Sequence, residues 1–312
     1  MVTIKDIARE LGIAPSTVSM ALKDSPLIGV ATREKVKALA KKLNYVPNSL
    51  GRALQSRRSS LVGYLTDRVT ESFYDILVLG VGETVVKHGY GLLTGVVDSV
   101  AALESQLHIF REKQIEGMVV TLTHLKSPKT LAMLRQSGIP MVFCSGRGGP
   151  EDLFVMCDDV AGGELAAGHL IERGHRHIGC NRTGALRLEG NRRALARHGL
   201  PEPYEFGTPE ELVVLLRKHP EITGLTVYSD RYAIDILNTV RGIGLRVPED
   251  LALVGFDDLW FAGLENFNFT TIAQPKREIG QRAMEMLFEL VNGKSVQSQL
   301  LCPKLVVRGS TR

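Results

Sequence analysis

The chain of 312 residues is poor in cysteine and tryptophan, and it has no long uninterrupted apolar run. Its four cysteines, Cys144, Cys157, Cys180 and Cys302, are scattered without Cys-x-x-Cys spacing. Buried thiols are therefore a better interpretation than disulfides or a zinc site. No apolar run approaches the roughly 18–20 residues that span a bilayer. The first residues also lack the order of a signal peptide, so we expect a cytoplasmic protein without a membrane partner.

Enzyme motifs are equally scarce. No GxSxG nucleophile motif is present, and Gly242-Ile243-Gly244 lacks the remainder of a dinucleotide-binding fingerprint. His175 and His177 are two residues apart, a spacing that on a strand places them on one face without forming a metal site. We therefore expect no enzymatic activity, no cofactor and no metal.

The positive charge is concentrated at the N-terminus. Residues 1–58 carry eleven Lys or Arg against four Asp or Glu, a net charge of +7. The remainder has 27 against 30, a net charge of −3, which together give +4. A basic patch attracts a polyanion by neutralising phosphates and releasing counterions. A solvated charged face is the other interpretation of this bias.

The same N-terminal region predicts three short helices. Apolar residues follow the spacing of one buried helical face in a segment that Thr3 can cap and that Gly12 ends. Pro15 suits the first turn of a second helix. A third helix is predicted from about Val30 to Leu43. Three helices around a small apolar cluster are typical of a helix-turn-helix module.

The second predicted helix carries the candidate DNA contacts. In helix-turn-helix docking this helix lies in the major groove, with its N-terminal residues against base edges. Ser16 and Met20, one turn apart, are expected to face bases, whereas neighbouring hydroxyl and guanidinium groups are expected to contact phosphates. The expected DNA-binding residues of the module are Thr3, Pro15, Ser16, Thr17, Ser19, Met20, Thr32 and Arg33.

From Leu61 onward, short apolar runs alternate with helical stretches, which predicts parallel sheets flanked by helices. Two such series in succession predict two lobes, and ligands of open α/β sheets lie beyond the carboxyl ends of the strands. We expect strands at 61–66, 91–97, 118–122, 141–144, 178–181, 225–229 and 251–256, and helices at 75–88, 101–113, 128–137, 160–173, 209–219 and 231–242.

Several motifs, in their order and spacing, resemble the lactose-repressor/galactose-repressor family of bacterial transcription regulators. The resemblance covers nearly the whole chain. In the N-terminal part it rests on VTIKDIA (2–8), STVSMAL (16–22), TREKV (32–36) and LNYVPN (43–48). Farther along it rests on FVMCDD (154–159) with Gly162 and Gly163, HLIERGHRHI (169–178), VPEDLALVGFDD (247–258) and TTIAQP (270–275).

The resemblance implies an all-α helix-turn-helix headpiece at 1–46, a hinge helix or linker at 47–58, and a two-lobed, periplasmic-binding-protein-like effector-binding and dimerisation domain at 59–312. The lobes would comprise about 59–158 and 275–302 (the N-lobe), and about 159–274 and 303–312 (the C-lobe), with three crossings. A homodimer would bind a near-palindromic operator. The hinge would become helical on DNA, where Leu54 wedges into the minor groove beside the further DNA-binding residues Asn48 and Arg52.

By the same resemblance, Asp230 and Asp257 fall where relatives bind effector hydroxyls or ring nitrogens. Phe73 matches an aromatic residue that stacks on the ligand. A turn or helix cap is the other interpretation of each aspartate. The expected effector-binding residues are Phe73, Ser145, Asp158, Arg187, Asp230 and Asp257.

Three departures from the family pattern concern this pocket. Ala185 stands where relatives carry an arginine, Ser145 where they carry an aspartate, and the loop at 181–184 is several residues shorter. A small residue in place of a guanidinium removes bidentate recognition. The pocket is therefore expected to hold an atypical effector or none, with Arg147, Arg182 and Arg187 as candidate replacements.

Taken together, these features predict a homodimeric transcription regulator, a repressor, that binds a double-stranded DNA operator. A small-molecule effector, a sugar or a related metabolite, would bind between the lobes and change operator affinity through its differential affinity for two lobe arrangements. Two alternatives stay open at this point: a DNA-binding regulator without a small-molecule effector, and a solute-binding protein.

Overall fold

The structure, a computed structural model, describes residues 2–45, 58–67, 72–123 and 125–311. Contacts divide the chain into two compact units, Met1–Ser59 and Ser60–Arg312. Within the described ranges, no helix is both long enough and apolar enough to cross a membrane.

The first unit has three helices over residues 2–45, as the apolar spacing predicts. They are α1 (Ile4–Leu11), α2 (Pro15–Leu22) and α3 (Val30–Lys42). The chain enters α1 at Thr3, whose amide and hydroxyl groups both donate to the Asp6 carboxylate, at 2.9 and 2.7 Å. Gly12 ends α1 at a φ of 65°, in the left-handed region that glycine adopts without steric cost.

These helices enclose an apolar core of their own. Ile7, Val18 and Val36 have no exposed surface. Burying one side chain of this size stabilises a fold by roughly 1.5–3 kcal/mol, so the cluster supports an independent module. Its buried members are Ile7, Ala8, Val18, Ala21, Val36, Leu39 and Ala40.

In the second unit, one six-stranded sheet defines the N-lobe. Its strand order is β11-β5-β4-β3-β1-β2, and every described pairing in it is parallel. The strands are β1 (Leu61–Thr66), β2 (Gly91–Val96), β3 (Met118–Thr121), β4 (Met141–Cys144), β5 (Phe154–Cys157) and β11 (Gln299–Leu301). The helices of this lobe are α4 (Ser72–Lys87), α5 (Val100–Glu112), α6 (Pro128–Gln136) and α11 (Lys276–Val291).

A second six-stranded sheet defines the C-lobe, with the order β12-β10-β9-β8-β6-β7. Only the described pairing of β10 with β12 is antiparallel. The strands are β6 (Ile178–Asn181), β7 (Tyr204–Phe206), β8 (Gly224–Thr226), β9 (Ala252–Phe256), β10 (Thr270–Ala273) and β12 (Lys304–Val306). The helices are α7 (Asp159–Glu172), α8 (Ala185–Arg197), α9 (Pro209–Lys218) and α10 (Asp230–Gly242), followed by a short 3-10 helix at Trp260–Gly263.

The chain passes between the two sheets three times. It leaves the N-lobe sheet after β5, returns through α11 to add β11, and goes back to the C-lobe sheet as β12. The predicted fold class, a helical headpiece followed by a two-lobed α/β unit, is confirmed. Three crossings place residues from distant parts of the sequence at the junction of the lobes.

Each lobe contains a helix pair that crosses at glycines. A Cβ on Gly80 of α4 would lie 2.1 Å from the Arg277 backbone oxygen of α11, and one on Gly280 would lie equally close to the Leu77 oxygen. Such separations are far inside van der Waals contact, so the helix backbones approach this closely only because both residues lack a side chain.

Three of the cysteines are buried, and His175 and His177 are hydrogen-bonded within the C-lobe. Cys144, Cys157 and Cys180 are buried in strands, as expected, whereas Cys302 is exposed. Burial raises the pKa of the Cys180 thiol to about 12. His175 and His177 precede β6 rather than lying within it, and their Nδ1 atoms contact the hydroxyl groups of Thr223 and Tyr204, at 2.8 and 3.2 Å.

Candidate functional site

The exposed end of α2 carries most of the candidate DNA contacts. Pro15 is its first residue, and Ser16 is exposed, whereas Thr17, Ser19 and Met20 are half-buried. Ala14, the residue before the helix, offers no side chain that could accept a hydrogen bond from the first turn. Pro15 has no N–H, and the Val18 amide donates to the Ala14 backbone oxygen. The amides of Ser16 and Thr17 are therefore the ones that can reach an external acceptor such as a phosphate oxygen.

The other candidate DNA contacts flank this helix in the first unit. Thr3 is exposed at the start of α1, and Thr32 is half-buried in the first turn of α3. Arg33 donates from Nη1 to the Asp24 backbone oxygen at 3.1 Å, and Lys37 Nζ pairs with the Asp24 carboxylate at 2.6 Å. The loop between α2 and α3 is thus held by two cations.

The candidate residues Asn48, Arg52 and Leu54 lie outside the described residues. The same holds for all of the predicted 47–58 hinge except Arg58. The role assigned to the hinge stays a prediction.

Asp257 is the centre of the candidate effector site in the second unit. It directly follows β9, is 8% exposed, and has a φ of 105°, a conformation that costs a non-glycine residue of order 1–3 kcal/mol. Its Oδ1 atom accepts a hydrogen bond from Gln274 Nε2 at 2.6 Å. Burial raises the pKa of its carboxyl to about 6, although Arg187 and Gln274 favour the charged form.

Arg187 faces Asp257 from α8. Its Nε donates to Asp159 Oδ1 at 3.1 Å, its Nη2 lies 3.8 Å from Asp257 Oδ1, and its Nη1 donates to the Tyr228 backbone oxygen. The guanidinium carbon stands 3.6 Å from the centre of the Phe256 ring, a cation–π contact. Burial opposes its charge, but Asp159 and Asp257 outweigh that effect and raise the pKa of Arg187. A guanidinium therefore does enter this region, two residues beyond Ala185.

Lys276 connects this cluster to the N-lobe. It is the first residue of α11, it is 7% exposed, and its Nζ donates to the backbone oxygens of Asp257 and Asp258, the latter at 3.0 Å. The same nitrogen lies 5.9 Å from the centre of the Phe73 ring. Burial lowers the pKa of Lys276. Contacts therefore run continuously from Phe73 through Lys276 and Asp257 to Arg187.

Asp230 lies next to this cluster but is fully buried. It is the first residue of α10, and its Oδ1 accepts from the Thr271 hydroxyl at 2.6 Å while its Oδ2 accepts from the Leu259 amide at 2.9 Å. Both carboxylate oxygens thus hold neighbouring segments of the chain. Leu259 in turn packs into the buried apolar cluster of the N-lobe. Asp230 thus lies below the protein surface at the junction of the lobes.

Asp230 should make the stability of this unit fall as the pH rises. Burial raises the pKa of its carboxyl to about 7, against the hydrogen bonds from Thr271 and Leu259 that favour the charged form. The folded chain then binds this proton more tightly than the unfolded chain, whose aspartates titrate near 3.9. The stabilising contribution is complete below about pH 4 and is lost as the pH rises through about 7.

This pH dependence can be measured as the unfolding midpoint of the wild type and of Asp230→Asn, between about pH 4 and pH 8. The variant should lose part of the downward slope. Asp235→Asn, at an exposed position of the same helix, should retain the wild-type slope. Identical slopes for the wild type and Asp230→Asn would contradict the assignment.

Ser145 and Asp158 make their described hydrogen bonds with residues outside the cluster. The Ser145 amide donates to the Val155 backbone oxygen at 2.9 Å. Ser145 itself has a φ of 60°. Asp158 caps α7, because its Oδ1 accepts from the Ala161 amide at 3.0 Å. Their assignment to effector binding stays a prediction.

Sequence reasoning missed several members of this cluster. Asp159, Gln274 and Lys276 were not singled out, although Asp159 and Gln274 belong to motifs that carry the family resemblance. A polar residue directly after a strand was the available signal for Gln274, which follows β10. Nothing in the local sequence pointed to the ring of Phe256, a β9 residue.

Two family models match the chain. The model of bacterial regulatory proteins of the lacI family matches residues 3–48, and that of a periplasmic binding protein-like domain matches residues 167–311. The ribose operon repressor of Escherichia coli (strain K12) is 32% identical over 330 residues, covering 99% of this chain and 100% of the relative. This chain belongs to the lacI family.

Solved structures agree with the lacI-family assignment. A transcriptional regulator CelR-cellobiose complex covers 99% of this chain and 100% of its own, with 28% identity and a TM-score of 0.71. The Lac repressor dimer bound to operator and the anti-inducer ONPF shares the fold with a TM-score of 0.82, at 24% identity and 99% coverage of each chain. The chain is thus a DNA-binding transcription regulator with an effector-binding domain.

Proposed function

We propose that this lacI-family chain is a cytoplasmic repressor that binds a near-palindromic operator as a homodimer. A small metabolite that binds between the lobes would raise or lower its operator affinity. The observation that carries the proposal is the line of contacts from Phe73 of the N-lobe, through Lys276 and Asp257, to Arg187 of the C-lobe. A ligand that changes any of these contacts changes how the lobes are joined. Operator affinity would then respond to the ligand by its differential affinity for the two arrangements.

The proposed effector is a sugar or a related polyhydroxylated metabolite. Carboxylate and guanidinium groups can form bidentate hydrogen bonds with neighbouring hydroxyls. Asp257, directly after β9, and Arg187, of α8, bring such groups together, with 3.8 Å between Asp257 Oδ1 and Arg187 Nη2. Among relatives, one is named a ribose operon repressor and another was solved with cellobiose. Both names support the sugar class.

A regulator without a small-molecule effector is the second candidate. It is favoured by the pairing of Arg187 with Asp159, the Tyr228 backbone oxygen and Asp257, since these partners already satisfy the guanidinium within the protein. The third possibility, a solute-binding protein, is disfavoured by the helix-turn-helix unit. We also propose that the chain has no enzymatic activity, because its relatives are transcription repressors.

The full-length protein should select a near-palindromic duplex from a random library and should bind it with two chains per duplex. A titration of that duplex at fixed salt, repeated with a panel of pentoses, hexoses, disaccharides and purines, tests the effector. At least one compound should change operator affinity. If no compound of the panel changes operator affinity, the regulator without a small-molecule effector is favoured. If the protein prefers no duplex over random competitor, the proposal is contradicted.

Arg187→Lys should separate effector binding from DNA binding. Lysine keeps the charge but loses the planar fork, so the effector found in that panel should bind at least about tenfold more weakly, a change of about 1.4 kcal/mol. Operator affinity without effector should change less than effector affinity, because the contacts of Lys276 with Phe73 and Asp257 are kept. Arg193→Lys is the matched control, because Arg193 is on the same helix and pairs with Glu189 on its surface. Equal effector affinities of the two variants would exclude a role for the Arg187 fork.

A further inference from the structure

A small cavity lies inside the C-lobe at the carboxyl ends of β6, β8 and β9. It offers about 10 Å³ of space to a water molecule. Cavities begin to hold one water at roughly 10–15 Å³. Its lining includes the polar side chains of Asn181, Asn191, Thr226 and Arg187, and also three glycines, Gly163, Gly184 and Gly255. The space therefore matches a single group of water size in a polar surrounding.

Asn191 lines this cavity and has one unpaired polar atom. The residue is 3% exposed, and its Nδ2 donates to the Thr226 hydroxyl at 2.9 Å. Among the residues that the structure describes, its Oδ1 has no hydrogen-bond partner. A buried amide oxygen that has lost its hydrogen bonds to water and gained none costs free energy, so such atoms are paired in nearly all proteins. Asn191 thus needs a partner from outside the protein.

The chemistry of that partner follows from the pair Asn191–Thr226. The Thr226 hydroxyl can accept from the amide nitrogen or donate to the amide oxygen. Either orientation of the Asn191 amide therefore leaves one polar atom unpaired. A hydroxyl or a water serves both cases because it donates and accepts, whereas an ammonium only donates and a carboxylate only accepts. An ammonium would in addition lie near the Arg187 guanidinium, a like charge that lines the same cavity.

One side chain, Arg187, belongs both to the cavity wall and to the candidate effector site. Arg187 lines the cavity together with Tyr228 and Phe256. The same guanidinium contacts Asp159 and Asp257 on its other side. A group bound to Asn191 would therefore lie directly behind the charged cluster of the junction.

We propose that this cavity is a subsite for a single O–H group that hydrogen-bonds Asn191. The group is a bound water molecule or a hydroxyl of the effector that takes its place. The subsite deepens the proposed function, on which its role in effector binding rests. In this role, the uncharged Asn191 amide would add a hydrogen bond from the C-lobe that helps to select the effector.

A crystal structure of the full-length protein at a resolution that shows ordered water tests the subsite, with and without a soak in D-ribose. We expect a density peak for one oxygen atom within about 3.2 Å of the Asn191 amide. A separate peak in both crystals assigns a water. A peak that becomes part of ribose in the soak assigns an effector hydroxyl. A cavity without density in both crystals overturns the inference.

Two variants of near-equal size test whether Asn191 anchors the group. Asn191→Leu should lose the peak, because leucine offers no polar atom, whereas Thr226→Val should keep it, because the amide stays. A peak that persists in Asn191→Leu overturns the inference even if only the wild type and this variant crystallise. Operator binding by the same preparations reports separately on the proposed function, so a missing peak in a protein that binds its operator counts against the subsite alone.

Discussion

Gly80→Ala is expected to lower the free energy of unfolding of the effector-binding unit by about 3 kcal/mol or more, at the upper end of what overpacking costs. The new methyl group would lie 2.1 Å from the Arg277 backbone oxygen of the facing helix. A backbone carbonyl cannot turn aside as a long side chain can. Helices α4 and α11 would have to separate, and the apolar residues between them, such as Leu77 and Ile279, would lose their packing.

Gly82→Ala is the matched control, two residues along the same helix. A Cβ at Gly82 would meet nothing within 4 Å. Because alanine is the better helix former, this variant should be as stable as the wild type or more stable by up to about 1 kcal/mol. Urea unfolding of all three proteins at one concentration measures the difference. Equal destabilisation by both substitutions would show that the close helix crossing is not the cause.

The C-lobe offers an independent repeat of this comparison. A Cβ at Gly163 of α7 would lie 2.0 Å from the Arg187 backbone oxygen, whereas one at Gly168 of the same helix would meet nothing within 4 Å. Gly163→Ala should therefore destabilise strongly and Gly168→Ala should not. Loss of stability only in the N-lobe pair would limit the explanation to α4 and α11.

Ser16→Glu is expected to weaken operator binding by at least about 100-fold while the headpiece stays folded. A carboxylate in the first turn of α2 interacts favourably with the helix dipole, so the helix itself is not disturbed. The same carboxylate would face the phosphates and base edges of the groove, where juxtaposed like charges cost several kcal/mol. Ser16 is exposed, so the change leaves the apolar core intact.

Ala38→Glu provides the control for charge. It adds the same unit of negative charge at an exposed position of α3 that is not among the proposed DNA contacts. Its effect on operator affinity should be far smaller and should shrink as salt screens it. Titrations with the selected operator at two salt concentrations measure both variants. Similar losses for Ser16→Glu and Ala38→Glu would mean that net charge, rather than the face of α2, governs binding.

The headpiece was predictable because its pattern is local. Apolar residues at helical spacing, Gly12 after the first helix and Pro15 at the start of the second each act within one or two turns of chain. The predicted third helix ended one residue too late, at Leu43 rather than Lys42. Local stereochemistry and side-chain spacing thus sufficed for this unit.

Five strands and two helices of the α/β unit were not predicted in the same way. The strands β5, β7, β10, β11 and β12 were missed, and so were the helices α8 and α11. β7 carries a glutamate, and the residues of β11 and β12 are exposed or half-buried, so neither apolar runs nor alternation mark these strands. They are strands because a neighbouring strand offers unpaired backbone groups, and that neighbour is distant in sequence.

At the candidate effector site, the sequence by itself determined which residue types follow the strands. Family resemblance singled out Asp257, and Arg187 was one candidate replacement for the arginine missing at Ala185. Only the tertiary structure decided that Asp230 is buried with both carboxylate oxygens hydrogen-bonded. It also decided that Lys276 donates to the backbone oxygens of Asp257 and Asp258, and that Arg187 donates to Asp159. The reason is physical. Hydrogen bonds and desolvation depend on distances of a few ångströms between segments 18 to 41 residues apart, and only the packing of helices and strands that are distant in sequence sets those distances.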